Sequence, residues 1–170
     1  MEPQILSAIG IEVRDDDGHR SLRAKKGFSA GDVILEVRGD IVDIPSRYSI
    51  QVDTEVHVEP AVVPDGLDGY DDYLWPFLNH GFEPNSMMDG KKLLAISDIA
   101  LGDEITFNYN GNEWDMATPF TCMSTGRQVT GNRHLTASQR LAIESITSSF
   151  ILQLAKDHAS ADATPAGSAK

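Results

Sequence analysis

Residues 76–109 read PFLNHGFEPNSMMDGKKLLAISDIALGDEITFNY, and two clusters within them decide the reading of the chain. The first is Asn79-His80 followed by Pro84-Asn85; the second, beyond an apolar strand, runs from Gly102 through Asp103, Glu104, Ile105, Thr106, Phe107 and Asn108 to Tyr109. Taken alone, N-H-x-x-x-P-N is a weak string, because Asn, Gly and Pro-Asn also build ordinary surface turns. Its occurrence with the second cluster supplies the context that a motif needs. Between them, residues 91–100 read as a strand entering a turn at Leu101-Gly102-Asp103. The alternation beyond it puts Ile105, Phe107 and Tyr109 on one face of the next strand.

Together the clusters resemble the C-terminal half of a SET domain, with GDEITFNY standing where that family carries something like GEELTFDY and with Ile99 and Gly102 placed as in its approach to that motif. The resemblance spans roughly residues 20–122 and is tighter in its second half. It implies a mainly β fold with few helices, the β-clip or SET fold, in which several small curved sheets surround a pseudoknot-like C-terminal loop. It also implies S-adenosylmethionine as cofactor and lysine methylation as activity. On the matching positions, Asn79 and His80 would hold the adenine, and the loop carrying them would tuck under its neighbour so that Asn79 meets Tyr109. The HRSLRA segment resembles the family's GWGLRA, which assigns Arg20 and Ser21 to the methionine part of the cofactor, although His19 and Ser21 stand where the family has glycines. RYSIQVD is similar to the strand whose tyrosine borders cofactor and channel, and so points to Tyr48. Phe107 matches the Phe/Tyr switch, and Phe120 matches an aromatic that covers the adenine in the family; an anchoring core phenylalanine is the other reading of Phe120. Pro76 replaces a family arginine, and proline has no backbone N–H to give.

Tyr109 is the catalytic candidate. A lysine ammonium has a pKa near ~10.4 and must lose its proton before it can attack a methyl group. A tyrosine hydroxyl at the end of a narrow apolar channel can then hold the amine in line. Phenylalanine at 107 leaves free the room that a hydroxyl-bound water would take, and the resemblance then implies di- or trimethyl-lysine among the products.

Composition sets limits on partners. The chain has 170 residues, enough for one domain with a real core. Twenty-six acidic residues against 14 basic give a formal charge of -12, which disfavours a phosphate-backbone binder and hence direct contact with nucleic acid. The same field suits a basic protein or peptide substrate, though net acidity also serves solubility. Cys122 is the single cysteine, so there is no internal disulfide and no thiolate cluster, and five scattered histidines do not replace one. The segment after Glu113 resembles a post-SET region that has lost its zinc: Ser124 fills the second ligand position, Phe82 the position of the loop cysteine, and Cys122 reads as an inert remnant. No metal site is therefore expected. The N-terminus lacks a signal-peptide pattern and no run approaches a membrane span, so a cytoplasmic protein without membrane contact is expected.

Along the chain, residues 4–14 hold two short strands broken at Gly10, and Asp15–Gly18 is a turn. Residues 25–43 carry a β run bounded by glycines. Residues 47–53 alternate Tyr48, Ile50 and Val52 against polar positions, the pattern of a half-buried strand. Residues 65–73 (DGLDGYDDY) form an acidic loop that could face a substrate or simply be solvated. Thr136 opens a capping box with Gln139 and starts a helix running to about His158, with Ile143, Ile146, Phe150 and Leu154 on one stripe. That helix docks on the domain or forms a homodimer contact. The expected organisation is a SET domain over 1–117, a degenerate post-SET-like segment over 118–135, the helix over 136–158 and a disordered tail over 159–170. Two other functional classes stay open: a SET-fold module that binds cofactor or partner without transferring methyl groups, and a SET-fold enzyme acting on a small molecule.

Overall fold

A computed structural model describes residues 4–8, 10–61 and 74–162, with side chains over 10–61 and 74–161. The acidic 65–73 loop and the last eight residues lie outside the described residues. The chain starts as an antiparallel meander of β1 (Gln4–Ala8), β2 (Ile11–Asp16) and β3 (His19–Ala24). The tip between β2 and β3 is Asp17-Gly18, both at positive φ, the combination that a tight two-residue hairpin requires. Asp15 Oδ1 closes the tip by accepting the Gly18 N–H at 2.7 Å.

β4 (Val33–Glu36), β5 (Asp40–Val42), β6 (Ile50–Asp53) and β7 (Val56–Glu59) follow. β5, β7 and β6 pair in that order into a second antiparallel sheet. After a 3-10 turn at Trp75–Phe77 come β8 (Asn79–His80), β9 (Ser86–Asp89), β10 (Lys92–Ala95) and β11 (Thr106–Phe107). β10 lies between β4 and β9, and β11 pairs with β8 in parallel. β12 (Phe120–Thr121) and β13 (Gln128–Val129) form a small hairpin. The chain is thus mainly β, built of several small sheets with few helices, as the sequence implied.

The core is one apolar cluster contributed by every larger sheet, with Val13 and Leu22 from the meander, Val58 from the second sheet, Met88 and Leu93 from the third, and Ile105 and Phe107 from the chain entering β11. Trp75, Phe77 and Leu78 complete it beneath the Asn79-His80 loop. Prolines and short sheets leave few regular ladders, so loops are tied by side chains: Asn85 donates to Glu104 O at 2.8 Å and accepts the Thr106 N–H at 3.1 Å.

The C-terminal region differs from the single helix expected. The Thr136 capping box is present in full, but its helix α1 covers only Ala137–Ala142. A 3-10 turn at Glu144–Ile146 follows, and α2 runs over Ser149–Asp162, four residues into the stretch read as a tail. The break has a local cause. Thr147 Oγ1 bonds back to Ile143 O at 2.8 Å, and Ser148 is pulled into the core, where its N–H donates to Gly111 O and its hydroxyl bonds Met88 O and Asn112 Oδ1. Hydroxyls that satisfy backbone groups locally compete with helix continuation in this way. Ile151 is the most deeply buried residue of α2, whereas Leu141 on α1 is exposed.

Two further expectations are corrected. Residues 47–53 are not one alternating strand: Arg47 and Tyr48 form a turn, and in β6 Ile50, Gln51 and Val52 are all buried. Tyr109 does not extend β11 but opens a 3-10 turn at Tyr109–Gly111, capped by the Asn108 side chain on the Asn110 N–H.

Candidate functional site

The two motif clusters meet at the β8–β11 pair, where Asn79 stands opposite Thr106 and His80 opposite Phe107. The pairing is prolonged by the Gly81 N–H on Phe107 O at 3.0 Å and braced by Ser86 Oγ on Thr106 O at 2.8 Å. Asn79 Nδ2 donates to Arg20 O at 2.9 Å and to Glu104 Oε1 at 2.8 Å, tying the meander to both motifs. Its amide nitrogen is therefore committed to holding three chain segments together.

Tyr109 is fixed at both ends. Its N–H donates to His80 Nδ1 at 3.1 Å, and its hydroxyl donates to Leu78 O at 2.6 Å. With its proton directed to Leu78, the phenol oxygen keeps lone pairs for an incoming donor. Burial, and the charge of Glu113, hold this phenol protonated well above its usual range. His80 is neutral, since burial and then the Arg127 charge pull it down to about 4. Because Nδ1 accepts, the ring proton sits on Nε2, and that N–H is buried without a partner among the described residues.

Aromatic rings gather around this imidazole. Phe82, Tyr109 and Phe120 lie edge-on to it with centroids at 4.4, 5.2 and 6.1 Å. The Arg127 guanidinium stacks on Phe82 at 3.8 Å, so the segment that resembled a zinc-free post-SET region reaches the loop position where that family places a cysteine. Phe120 is 37% exposed, which identifies it as a rim residue rather than a core anchor. Among the described residues no group of three His, Cys, Asp or Glu side chains stands close enough to hold a metal. The Ser124 hydroxyl, helped by Thr125, draws the Cys122 thiol down to about 7.

A cavity of about 130 Å³ opens beside this cluster, walled by Tyr48, Ile50, Trp75, Leu78, Phe107, Tyr109 and Glu113. Tyr48 reaches it from its turn although 42% exposed, with the Arg47 guanidinium 5.0 Å over its ring. Tyr48, Phe107 and Tyr109 thus share one cavity, while His80 and Phe120 belong to the adjoining ring cluster; the Asn79 amide turns to Arg20 and Glu104, so that His80 rather than Asn79 bonds Tyr109. Arg20 meets Asn79 through its carbonyl, and its side chain turns to Asp15 at 3.1 Å and lies over the Phe77 ring. Ser21 is fully buried and accepts from Arg23 Nε at 3.2 Å, lining neither space.

A polar hub behind the cavity was not read from the sequence. Gln51 N–H donates to Glu113 Oε1 at 2.9 Å, Gln51 O accepts from Asn112 Nδ2 at 2.8 Å, and Gln51 Oε1 accepts the Trp114 N–H at 2.8 Å. Asn110 adds a second tier, its Oδ1 taking the N–H groups of Thr130 and Gly131 at 3.0 Å each. Gly131 is needed there, because a Cβ would lie 2.7 Å from Trp114 O and the residue has φ of +99°. The signal was the run Asn108, Asn110, Asn112, alternating amides that only a buried, irregular backbone would use.

Small β-sheets folded around two crossing motif segments, with a tyrosine pinned where they meet, define the SET class of fold. The family model for the SET domain matches residues 19–110, more than half of the chain, and the chain belongs to that family. SET domains take S-adenosylmethionine as methyl donor, so membership supports methyltransferase-type function. Among solved structures, 129 chains match. One is KRYPTONITE in complex with mCHG DNA and SAH, 18% identical, with a TM-score of 0.47 over 65% of this chain and 26% of that one. This chain therefore spans about a quarter of that protein's length. No curated protein matches.

Proposed function

We propose that this chain transfers a methyl group from S-adenosylmethionine to a lysine side chain of a basic protein or peptide. The observation that carries the reading is Tyr109, clamped between Leu78 O and His80 at the wall of a cavity it shares with Tyr48 and Phe107. The residues present fit the cofactor: flat ring edges surround an unmet imidazole N–H on His80, which an acceptor on an adenine could engage. Phe120 at the rim would cover that group.

Bound there, the cofactor supplies an electrophilic methyl on a cationic sulfur. This chain supplies position and polarity. The phenol stays protonated, donates to Leu78 O and offers its oxygen lone pairs to the amine N–H, directing the nitrogen lone pair away from itself. Tyr48, Trp75 and Phe107 exclude bulk water and favour the uncharged amine. Phe107 carries no hydroxyl to hold a water, leaving room for methylated amines and hence di- or trimethyl products.

The fully buried Ser21, standing where the family has glycine, favours a second reading, a SET-fold module that binds without transferring. Labelled methyl transfer to a basic-protein mixture, beside small amines, decides between them. The Tyr109→Phe variant should keep the cofactor-induced thermal shift while turnover falls about 100-fold or more. Unchanged turnover in that variant would remove the catalytic assignment.

A further inference from the structure

The cavity contains an acid that the reading above leaves unused. Glu113 is 8% exposed and lines the same space as Tyr109, whose carbonyl accepts the Glu113 N–H at 2.8 Å across the 3-10 turn. Its Oε1 accepts the Gln51 N–H from β6, and the Asn112 side chain also favours its charged form. Among the described residues no salt bridge reaches it. A buried carboxyl with only neutral partners is a costly choice where an amide would fill the same volume. The other charged or titratable groups lining the cavity are Arg47, whose guanidinium sits over Tyr48, then Tyr48 itself and Tyr109; behind it Gln51 and Asn112 contribute amides, and Asp53 at the end of β6 is exposed. Among the described residues the cavity thus offers a carboxyl that no cation is bonded to, its lining guanidinium, Arg47, being placed over Tyr48 instead.

We infer that Glu113 receives the substrate's ammonium in this cavity and takes its proton, leaving the neutral amine beside Tyr109. This rests on the reading of an amine substrate. One N–H bond of the ammonium breaks, one O–H bond forms on the carboxylate, and the nitrogen keeps the electron pair; the pair has zero net charge before and after. Two features make the transfer feasible. The apolar walls favour acid plus amine over a desolvated ion pair. Burial also lifts Glu113 to about 8, closer to the basicity of an amine than an ordinary carboxylate stands.

The test uses n-butylammonium, a mimic of the lysine side chain, and needs no methyl transfer. Amide NMR titration of the full chain, followed at Gln51, should show saturable binding that tightens as pH rises from 6 to 9. In Glu113→Gln the binding should weaken about tenfold or more and lose its pH dependence, as loss of a charge-assisted contact requires. Equal dissociation constants in the two proteins overturn the inference. So does a wild-type affinity that is flat from pH 6 to 9, which decides the matter even if the variant fails to fold. If the butylammonium seat behaves as stated and no methyl is transferred to any lysine, the proposed function falls and the cation seat stands. If methyl transfer occurs while both proteins bind butylammonium alike, only the role of Glu113 falls.

Discussion

Replacing Glu113 by Gln should change how stability depends on pH, by an amount the structure sets. Burial raises the carboxyl from an ordinary 4.5 to about 8. Between those values the folded protein holds a proton that the unfolded chain has released, so stability falls as pH rises and the loss is complete above about 8. At about 1.36 kcal/mol per pH unit, the whole fall is on the order of 5 kcal/mol. That is comparable with the entire stability of many domains. Gln keeps an oxygen for the Gln51 N–H and carries no charge. Urea unfolding followed by tryptophan fluorescence at pH 5, 7 and 9 measures it. The difference between variant and wild type should swing by several kcal/mol over that range, with the variant more stable at pH 9. The pulled-down His57 and His80 act in both proteins and cancel from the difference. A difference constant from pH 5 to 9 would refute the buried, proton-bearing state of Glu113.

Other outcomes are open to direct measurement. Thr136→Ala removes the acceptor for the Gln139 N–H and should cost about 1 kcal/mol in chemical denaturation, with the site unaffected. Ser148→Ala deprives Met88 O and Asn112 Oδ1 of a buried donor and should cost about 1–3 kcal/mol. It should also perturb the amide resonances of Gln51, two contacts away. Phe107→Tyr should shift the products toward monomethyl-lysine in mass spectra, and an unchanged product spectrum from a folded variant would remove Phe107 from the channel.

The parts of the fold that were legible in the sequence are those where one residue type serves one purpose. The Asp-Gly tip, the Thr136 capping box and the strands flanking Gly10 use local chemistry that short stretches display openly. The junction of the two motifs was legible through resemblance, and the parallel pairing of residues 79–80 with 106–107 is its physical expression. What escaped was polar and non-local. Alternation assigns Gln51 to an exposed face, yet its partners lie some 60 residues away, where the segment resembling a post-SET region begins. The end of α1 escaped for the same reason, since Ser148 leaves the helix to satisfy groups on other elements. The turn at Tyr48 escaped, though the residue itself did not, because that turn is held by Ser46 and Ser49 rather than by a ladder.

The contacts behind the cavity also dictate an order of assembly. Gln51 waits for Glu113, 62 positions on, and Asn112 in turn waits for Ser148, 36 further. A chain emerging from the ribosome N-terminus first can complete its opening hairpin early. Its cavity can acquire a finished back wall only once Ser148, at the threshold of α2, has been synthesised, so that wall is among the last parts of the described fold to come into being.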